Sequence, residues 1–161
     1  MKLNEVEFLK VIELAPLFSI DLIVLNEYSE ILVGKRTNPP AKEWWFVPGG
    51  RVYKGEALSE AFSRISLMEL GLDLKMDNCQ LLGVFEHFYD DSAFDKNIST
   101  HYINTPYLAE IQKSKIDAPL IQHECYRWVA LNEFESDMNI HQYSKLFLGN
   151  LIDYLGLKQD G

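Results

Sequence analysis

Between Gly49 and Leu72 the chain reads GGRVYKGEALSEAFSRISLMELGL, and no other stretch limits its fold so much. Two adjacent glycines call for a tight turn whose backbone can approach a ligand closely. From Ala57 to Leu70, just after Glu56, the residues are helix formers, and Leu58, Ala61, Phe62, Ile65 and Met68 recur at the spacing of one apolar helix face. Gly71 is the expected stop residue. The turn and helix bring exposed backbone, Arg64 and Glu69 into one region, and a metal-bound diphosphate requires such a set. A plainer role for Arg64 is a helix-surface ion pair with Glu56 or Glu60.

The rest of the chain supplies strands and helices around this unit. Asn4 is placed to cap a helix ending at Leu14, with Phe8, Val11 and Ile12 as its apolar stripe and Pro16 beyond its end. Leu17–Leu25 and Ile31–Lys35 read as a hairpin about the turn at Asn26–Glu30. Asp21 interrupts the first of these strands. It is either an edge carboxylate or, if buried, one that needs a cation such as Arg36. Pro39 and Pro40 make Thr37–Lys42 a loop, and Trp44, Trp45 and Phe46 read as core aromatics beside the glycine turn. Gln80–Phe88, Tyr102–Ile111 and Tyr126–Leu131 read as strands, joined by irregular stretches. Two helices close the chain, the last from about His141 to Leu155 with a stripe at Leu148, Leu151, Ile152 and Leu155. The expectation is one α/β domain over residues 1–161, a mixed sheet with helices on both faces.

With 15 Lys and Arg against 24 Asp and Glu, the net charge of -9 argues against non-specific nucleic-acid binding. The N-terminal MKLNEVEFLK has charges where a signal peptide needs an apolar run, and no stretch reaches the ~20 apolar residues of a membrane span. Cys79 and Cys125 read as reduced thiols. Together these features describe a soluble cytoplasmic protein.

From Gly50 onward the pattern resembles the Nudix box. Five residues separate Gly50 from Glu56, seven separate Glu56 from Arg64, and Glu69, Gly71 and Leu72 follow in register. Ile65 and Met68 stand where that box has glutamates, and Ser66 stands where it has an aliphatic residue. These departures, with LVGKRTNPPAKEWWFVPGGRV (Leu32–Val52), EHFYDD (Glu86–Asp91), THY (Thr100–Tyr102) and QHECYRW (Gln122–Trp128), resemble the GDP-mannose mannosyl hydrolase branch. Between the loop histidine and Tyr-Arg-Trp that branch more often has two acidic residues; here they are Glu124 and Cys125.

The resemblance implies a Nudix fold, an α/β/α sandwich with a mixed sheet, and a homodimer. It implies Mg²⁺-dependent release of GDP and sugar by inverting substitution at the anomeric carbon. One Mg²⁺ per subunit, replaceable by Mn²⁺, would be held by the Gly49 carbonyl, Glu69 and Gln122. His123 would be the general base, Arg36, Arg51 and Tyr102 would hold the diphosphate, and Asp21 would act near the sugar. Lys2, Leu3 and Phe8 would reach the nucleotide near the dimer interface. His87 is either a plain strand residue or a neighbour of the sugar. Two other functions remain open from the residues alone: a conventional Nudix pyrophosphatase acting at phosphorus, and a non-catalytic nucleotide-sugar sensor.

Overall fold

The computed structural model describes residues 3–119 and 123–159, without the side chains of residues 123, 124 and 159. Lys2 and Gln122, each expected to touch ligand or metal, lie outside the described residues, as does the imidazole of His123.

The order is α1 (Glu5–Leu14), β1 (Leu17–Leu25), β2 (Glu30–Arg36), β3 (Trp45–Phe46), β4 (Gly49–Arg51), α2 (Leu58–Leu70), β5 (Gln80–Leu81), β6 (Phe85–Tyr89), β7 (Thr100–Glu110), β8 (His123–Ala130), α3 (Leu131–Phe134) and α4 (Leu148–Gln159). Asn4 caps α1 as expected: its side chain accepts from the Glu7 N–H at 2.9 Å, and the Glu7 carboxylate accepts from the Asn4 N–H. Leu14 and Val11 are exposed, so only Ile12 of that helix is fully buried.

The eight strands of the described residues form one mixed sheet. β1 pairs in parallel with β7 along its whole length, from Leu17 opposite Tyr102 to Leu25 opposite Glu110. The β1–β2 hairpin is present but pairs only at Leu25 and Ile31. Beyond that point the two strands part. β4 then pairs with β1 over Ser19–Asp21, while β2 turns to β3 and β8. The gap between the diverging strands opens into a cavity.

β1 lacks alternating polarity because both of its faces are covered. Ile20, Leu22 and Val24 pack with Leu32 against Ala61, Phe62 and Ile65 of α2. Ile23 and Leu25 point the other way, into a core with Ile31, Val33, Phe134, Phe147 and Leu151. Helices therefore lie on both faces, as expected.

Several expected boundaries shift. Gln80–Phe88 is two strands, interrupted at Gly83 (φ +144°). The helix expected from His141 begins instead with a 3-10 turn over Gln142–Lys145, and α4 starts at Leu148. Ile152, expected to be buried, is 57% exposed. On α2, Leu58 and Met68 leave the buried face, which is made by Ala61, Phe62, Ile65, Ser66, Glu69 and Leu70. The stripe is thus rotated by about one position, and a carboxylate falls on its inner side.

Candidate active site

The cavity has a volume of about 240 Å³. Its floor is β1. Asp21, one of the expected site residues, is no edge carboxylate, because at its level β4 lies on one side of β1 and β7 on the other. It keeps partial exposure through the mouth while protein encloses its carboxylate. Burial therefore raises its pKa to about 7; Asn104 and the charge of Arg36 oppose the rise and the charge of Glu69 adds to it. Gly49 is required here: a Cβ on it would collide with Asp21 Oδ1 and come within 2.7 Å of the Ile20 carbonyl oxygen. Gly50 rests on Ile65 in the same way, with a Cβ reaching Ile65 Cγ1 at 3.0 Å.

Glu69 is 2% exposed yet lines the cavity from α2. Ser66 and Glu69 are the polar residues of the helix's inner face, and of the two Glu69 lines the cavity. Arg64 also borders the cavity, but its guanidinium is committed. It donates to both carboxylate oxygens of Glu56, from Nε at 2.6 Å and Nη2 at 2.9 Å, and to the Arg51 carbonyl at 2.9 Å. Glu60, the other acid considered for that pair, accepts from the Ala57 N–H at 2.9 Å and closes the helix start. Arg64 thus ties the loop after β4 to α2.

Arg36 at the end of β2 and Arg51 on β4 both line the cavity. Arg36 Nε is buried with no hydrogen-bond partner among the described residues, so a donor there awaits an acceptor. Arg51 lies under the Phe8 ring, 3.7 Å from its centroid, and near Tyr53 at 5.3 Å. Burial lowers the Arg51 pKa, countered by Tyr102. Tyr102 lines the cavity on β7, its phenol raised by burial. Phe8 meets the site at Arg51, and neither it nor Leu3 is among the cavity-lining residues.

The opposite side is made of rings. His87, 5% exposed, and Tyr89 alternate on β6 and face inward with Tyr102 and Asn104 of β7. Burial, then the nearby His141, lowers the His87 pKa to about 4. Behind them, the His141 ring stacks on Phe46 at 4.6 Å, and burial with Arg36 lowers its pKa to about 4 as well. Trp45 does pack on the core, but Trp44 is 43% exposed and Phe46 lines the cavity. Tyr89, Asn104, His141 and Tyr143 were not anticipated. The period-two spacing of His87 and Tyr89 could have revealed the first; nothing local reveals the others.

His123 opens β8, and its Cα lies opposite Arg36 in the ladder. Further along β8, the Tyr126 hydroxyl donates to the Pro119 carbonyl at 3.0 Å. At Gly71 (φ +69°) a Cβ would come within 2.6 Å of the Asp117 carbonyl oxygen, so Asp117 packs closely on the end of α2.

The donor set suits a hard cation. Asp21 and Glu69 are enclosed carboxylates, the charge of Glu69 being felt at Asp21, beside the half-buried Gly49. Enclosed anions of this kind call for a cation, and oxygen ligands suit Mg²⁺ or Mn²⁺. No three of the described His, Cys, Asp and Glu side chains come together as a ligand set. Ile65, at one of the expected acidic positions, is 1% exposed within the core.

A NUDIX domain model matches residues 16–148, and the chain belongs to the Nudix hydrolase family. It is 40% identical over 102 residues to the low-salt glycan biosynthesis protein Agl8 of Haloferax volcanii, a match that covers 63% of this chain and 64% of that protein. The fold is similar to that of a MutT Nudix hydrolase from Burkholderia pseudomallei (TM-score 0.67, 24% identity, covering 84% of this chain and 97% of that one). It is also similar to the Nudix domain of Shewanella oneidensis NrtR complexed with ADP ribose (TM-score 0.67, 15% identity, covering 95% and 99%). No helix of the described residues is long and apolar enough to cross a membrane.

Proposed function

We propose that this protein hydrolyses a nucleotide sugar, GDP-mannose in the first instance, by attack of water at the anomeric carbon, giving GDP and free sugar. The observation that carries the proposal is the inner face of α2, which offers the cavity one carboxylate, Glu69, while Ile65 packs beneath Gly50. Attack at phosphorus in this family's usual manner needs several ions on several helix carboxylates. Departure of a diphosphate needs less: cationic and hydrogen-bonding groups where negative charge grows. The name of the Haloferax relative, a glycan biosynthesis protein, also favours a sugar-bearing substrate.

In this scheme the Gly49 carbonyl, Glu69 and Gln122 would hold one Mg²⁺, with Mn²⁺ as a substitute. When bound, the ion offsets charge on the leaving diphosphate. Arg36, Arg51 and Tyr102 orient that diphosphate and donate to its oxygens as the bond between C1 and the bridging oxygen breaks, its electron pair leaving with GDP. His123 takes the proton of the attacking water, whose oxygen bonds to C1 from the opposite side and inverts it. Asp21, near the sugar, accepts a hydrogen bond from a hydroxyl or, when protonated, donates one. A homodimer with Lys2, Leu3 and Phe8 beside the nucleotide belongs to the same proposal.

Hydrolysis in ¹⁸O-labelled water tests it. Label is expected in the sugar, with GDP as the nucleotide product. Label on phosphorus, with GMP and a sugar phosphate released, would instead establish a conventional pyrophosphatase.

A further inference from the structure

The ring side of the cavity depends on a residue outside the cavity. β6 is an edge strand: among the described residues it pairs only with β7. Its outward peptide groups at Phe88 are nevertheless satisfied by a single side chain. The Tyr143 hydroxyl accepts from the Phe88 N–H at 3.0 Å and donates to the Phe88 carbonyl at 2.6 Å. One phenol thus does at this point what a neighbouring strand would do. The same ring lies flat on His87, with centroids 4.6 Å apart and planes 5° apart, and meets Tyr89 edge-on at 5.1 Å. Phe88 is the residue between those two, and both of its neighbours face the cavity.

Tyr143 is itself fixed from behind. The Tyr143 N–H donates to His141 Nδ1 at 3.1 Å, and the next residue, Ser144, accepts from the Val47 N–H at 3.1 Å through its hydroxyl. The His141 ring in turn rests on Phe46. The 3-10 turn is therefore fastened to the segment before β4 on one side and to β6 on the other. Protection of an edge strand needs only the hydroxyl; the coplanar stack on a cavity-facing imidazole is a separate contact, and it needs a separate reason.

We infer that Tyr143 is a positioning residue, which sets the orientation of His87 and Tyr89 and so selects the neutral group that fills this side of the cavity. The chemistry of the side identifies the group. Arg51 lies on β4 and Arg36 reaches over the Phe46 ring at 5.4 Å, whereas His87, Tyr89, Asn104 and Ser19 offer uncharged donors and acceptors set among ring faces. That suits a polyhydroxylated ring with apolar C–H faces, the hexose of a nucleotide sugar; this identification of the ligand rests on the proposed function. A neutral imidazole, its pKa lowered by burial, is consistent with it.

Tyr143→Leu and Tyr143→Phe, compared with the unaltered protein, test the inference. Rates of GDP release from GDP-mannose and GDP-glucose report on the sugar, and calorimetric binding of GDP with Mg²⁺ reports on the rest of the site. Small misplacements of substrate-positioning groups can cost up to ~10²-fold. Leu should lower kcat/KM for the preferred sugar on the order of 10-fold or more and shrink the preference between the two sugars, with GDP affinity held within about twofold. Phe keeps the stack and loses the clamp. It should retain more of the activity and all of the preference, while hydrogen exchange at the Phe88 amide quickens. The His87 ring protons should be shifted upfield by the stack in the unaltered protein and in Phe, and not in Leu. Unchanged sugar kinetics in Leu, or GDP affinity falling in step with kcat/KM, overturns the inference. Should Leu not fold, Phe decides it: unchanged Phe88 exchange overturns the clamp. Should neither nucleotide sugar be turned over, the proposed function fails, while ring shift and amide exchange still decide whether Tyr143 positions His87.

Discussion

One side of the cavity, made by β4 and α2, carries charge: Arg51, Arg64 and Glu69, with Arg36 from the end of β2 reaching over the Phe46 ring at 5.4 Å. The other, made by β6, β7 and Phe46, carries rings and an amide: His87, Tyr89 and Asn104. Their construction differs as much as their chemistry. Most of the charged side comes from one continuous stretch, in which Arg64 fastens the loop to the helix through Glu56 and the Arg51 carbonyl. The ring side is assembled from segments tens of residues apart and held by stacking and by Tyr143. A diphosphate needs fixed charges, which a turn and a helix can supply locally. A sugar needs a shaped neutral surface, which only tertiary packing can shape.

The largest effect expected of this division comes from Glu69→Gln. It removes the carboxylate and keeps the volume, so the buried site should persist while its charge is lost. Activity should fall on the order of 10²–10³-fold, as when a preorganised charge-stabilising group is removed. The Mg²⁺ concentration for half-maximal rate should rise with it. Kinetics at varied Mg²⁺, together with direct Mn²⁺ binding, check this; undiminished metal affinity would remove Glu69 from the ligand set.

Arg64→Ala should act on the same side more mildly and through structure. The guanidinium and its Glu56 partner are partly buried, with 26% and 14% of their side chains exposed. The pair raises the Arg64 pKa and lowers that of Glu56. Hydrogen bonds to charged groups of this kind contribute about 1.5–3 kcal/mol, and chemical denaturation should show a loss of that size. Because the bond to the Arg51 carbonyl goes too, KM should rise even where the protein stays folded. Stability lost with KM unchanged would show that the staple serves the fold alone.

The same contrast decides what was legible in the chain. The helix and stop of Ala57–Gly71 were readable because each rests on local preferences: period 3.6 on α2 and positive φ at Gly71. The turn expected at Gly49–Gly50 is instead strand β4 paired with β1, and what glycine permits at 49 is the close approach of Asp21 and Ile20. The mixed sheet followed from the order of elements. The error on α2 lies in the apolar stripe, which admitted Met68, 38% exposed, while Glu69, named as a site residue, is on the buried face. Asp21 stood open between an edge and a buried carboxylate because nothing local reveals that β4 and β7 both come to lie beside it. His141 and Tyr143 were taken into a helix for the same reason: their roles exist only once β6 and Phe46 arrive from elsewhere.

The ring side should show itself in acid. The His87 pKa is lowered from 6.5 to about 4 in the folded protein. A base whose folded pKa lies below its unfolded value contributes stability that is fully present above the unfolded pKa. That contribution is lost as pH falls through the window from 6.5 to 4. One pKa unit corresponds to about 1.4 kcal/mol, so the loss over the window is on the order of 1–3 kcal/mol. His87→Phe keeps a flat ring on Tyr143 without a titrating group. Denaturation of both proteins between pH 7 and pH 4 should give a shallower decline for the variant, and parallel curves would show that His87 is not the group responsible.

The smallest effect should appear where the N-terminus meets the charged side. α1, started by the Asn4–Glu7 capping pair, places Phe8 over the Arg51 guanidinium at 3.7 Å and edge-on to Phe94 at 5.9 Å. Arg51 is partly desolvated there, which lowers its pKa. A cation over an aromatic face gains about 0.5–1 kcal/mol at such a site. Phe8→Leu preserves apolar cover and deletes the ring face, so it isolates that term. If Phe8 serves only to hold Arg51 for the diphosphate, GDP affinity should weaken by about 2–5-fold. The preference between sugars, set on the opposite side, should not move. A changed sugar preference in Phe8→Leu would mean that the two sides are not independent, and that α1 reaches the ring side through contacts other than Arg51.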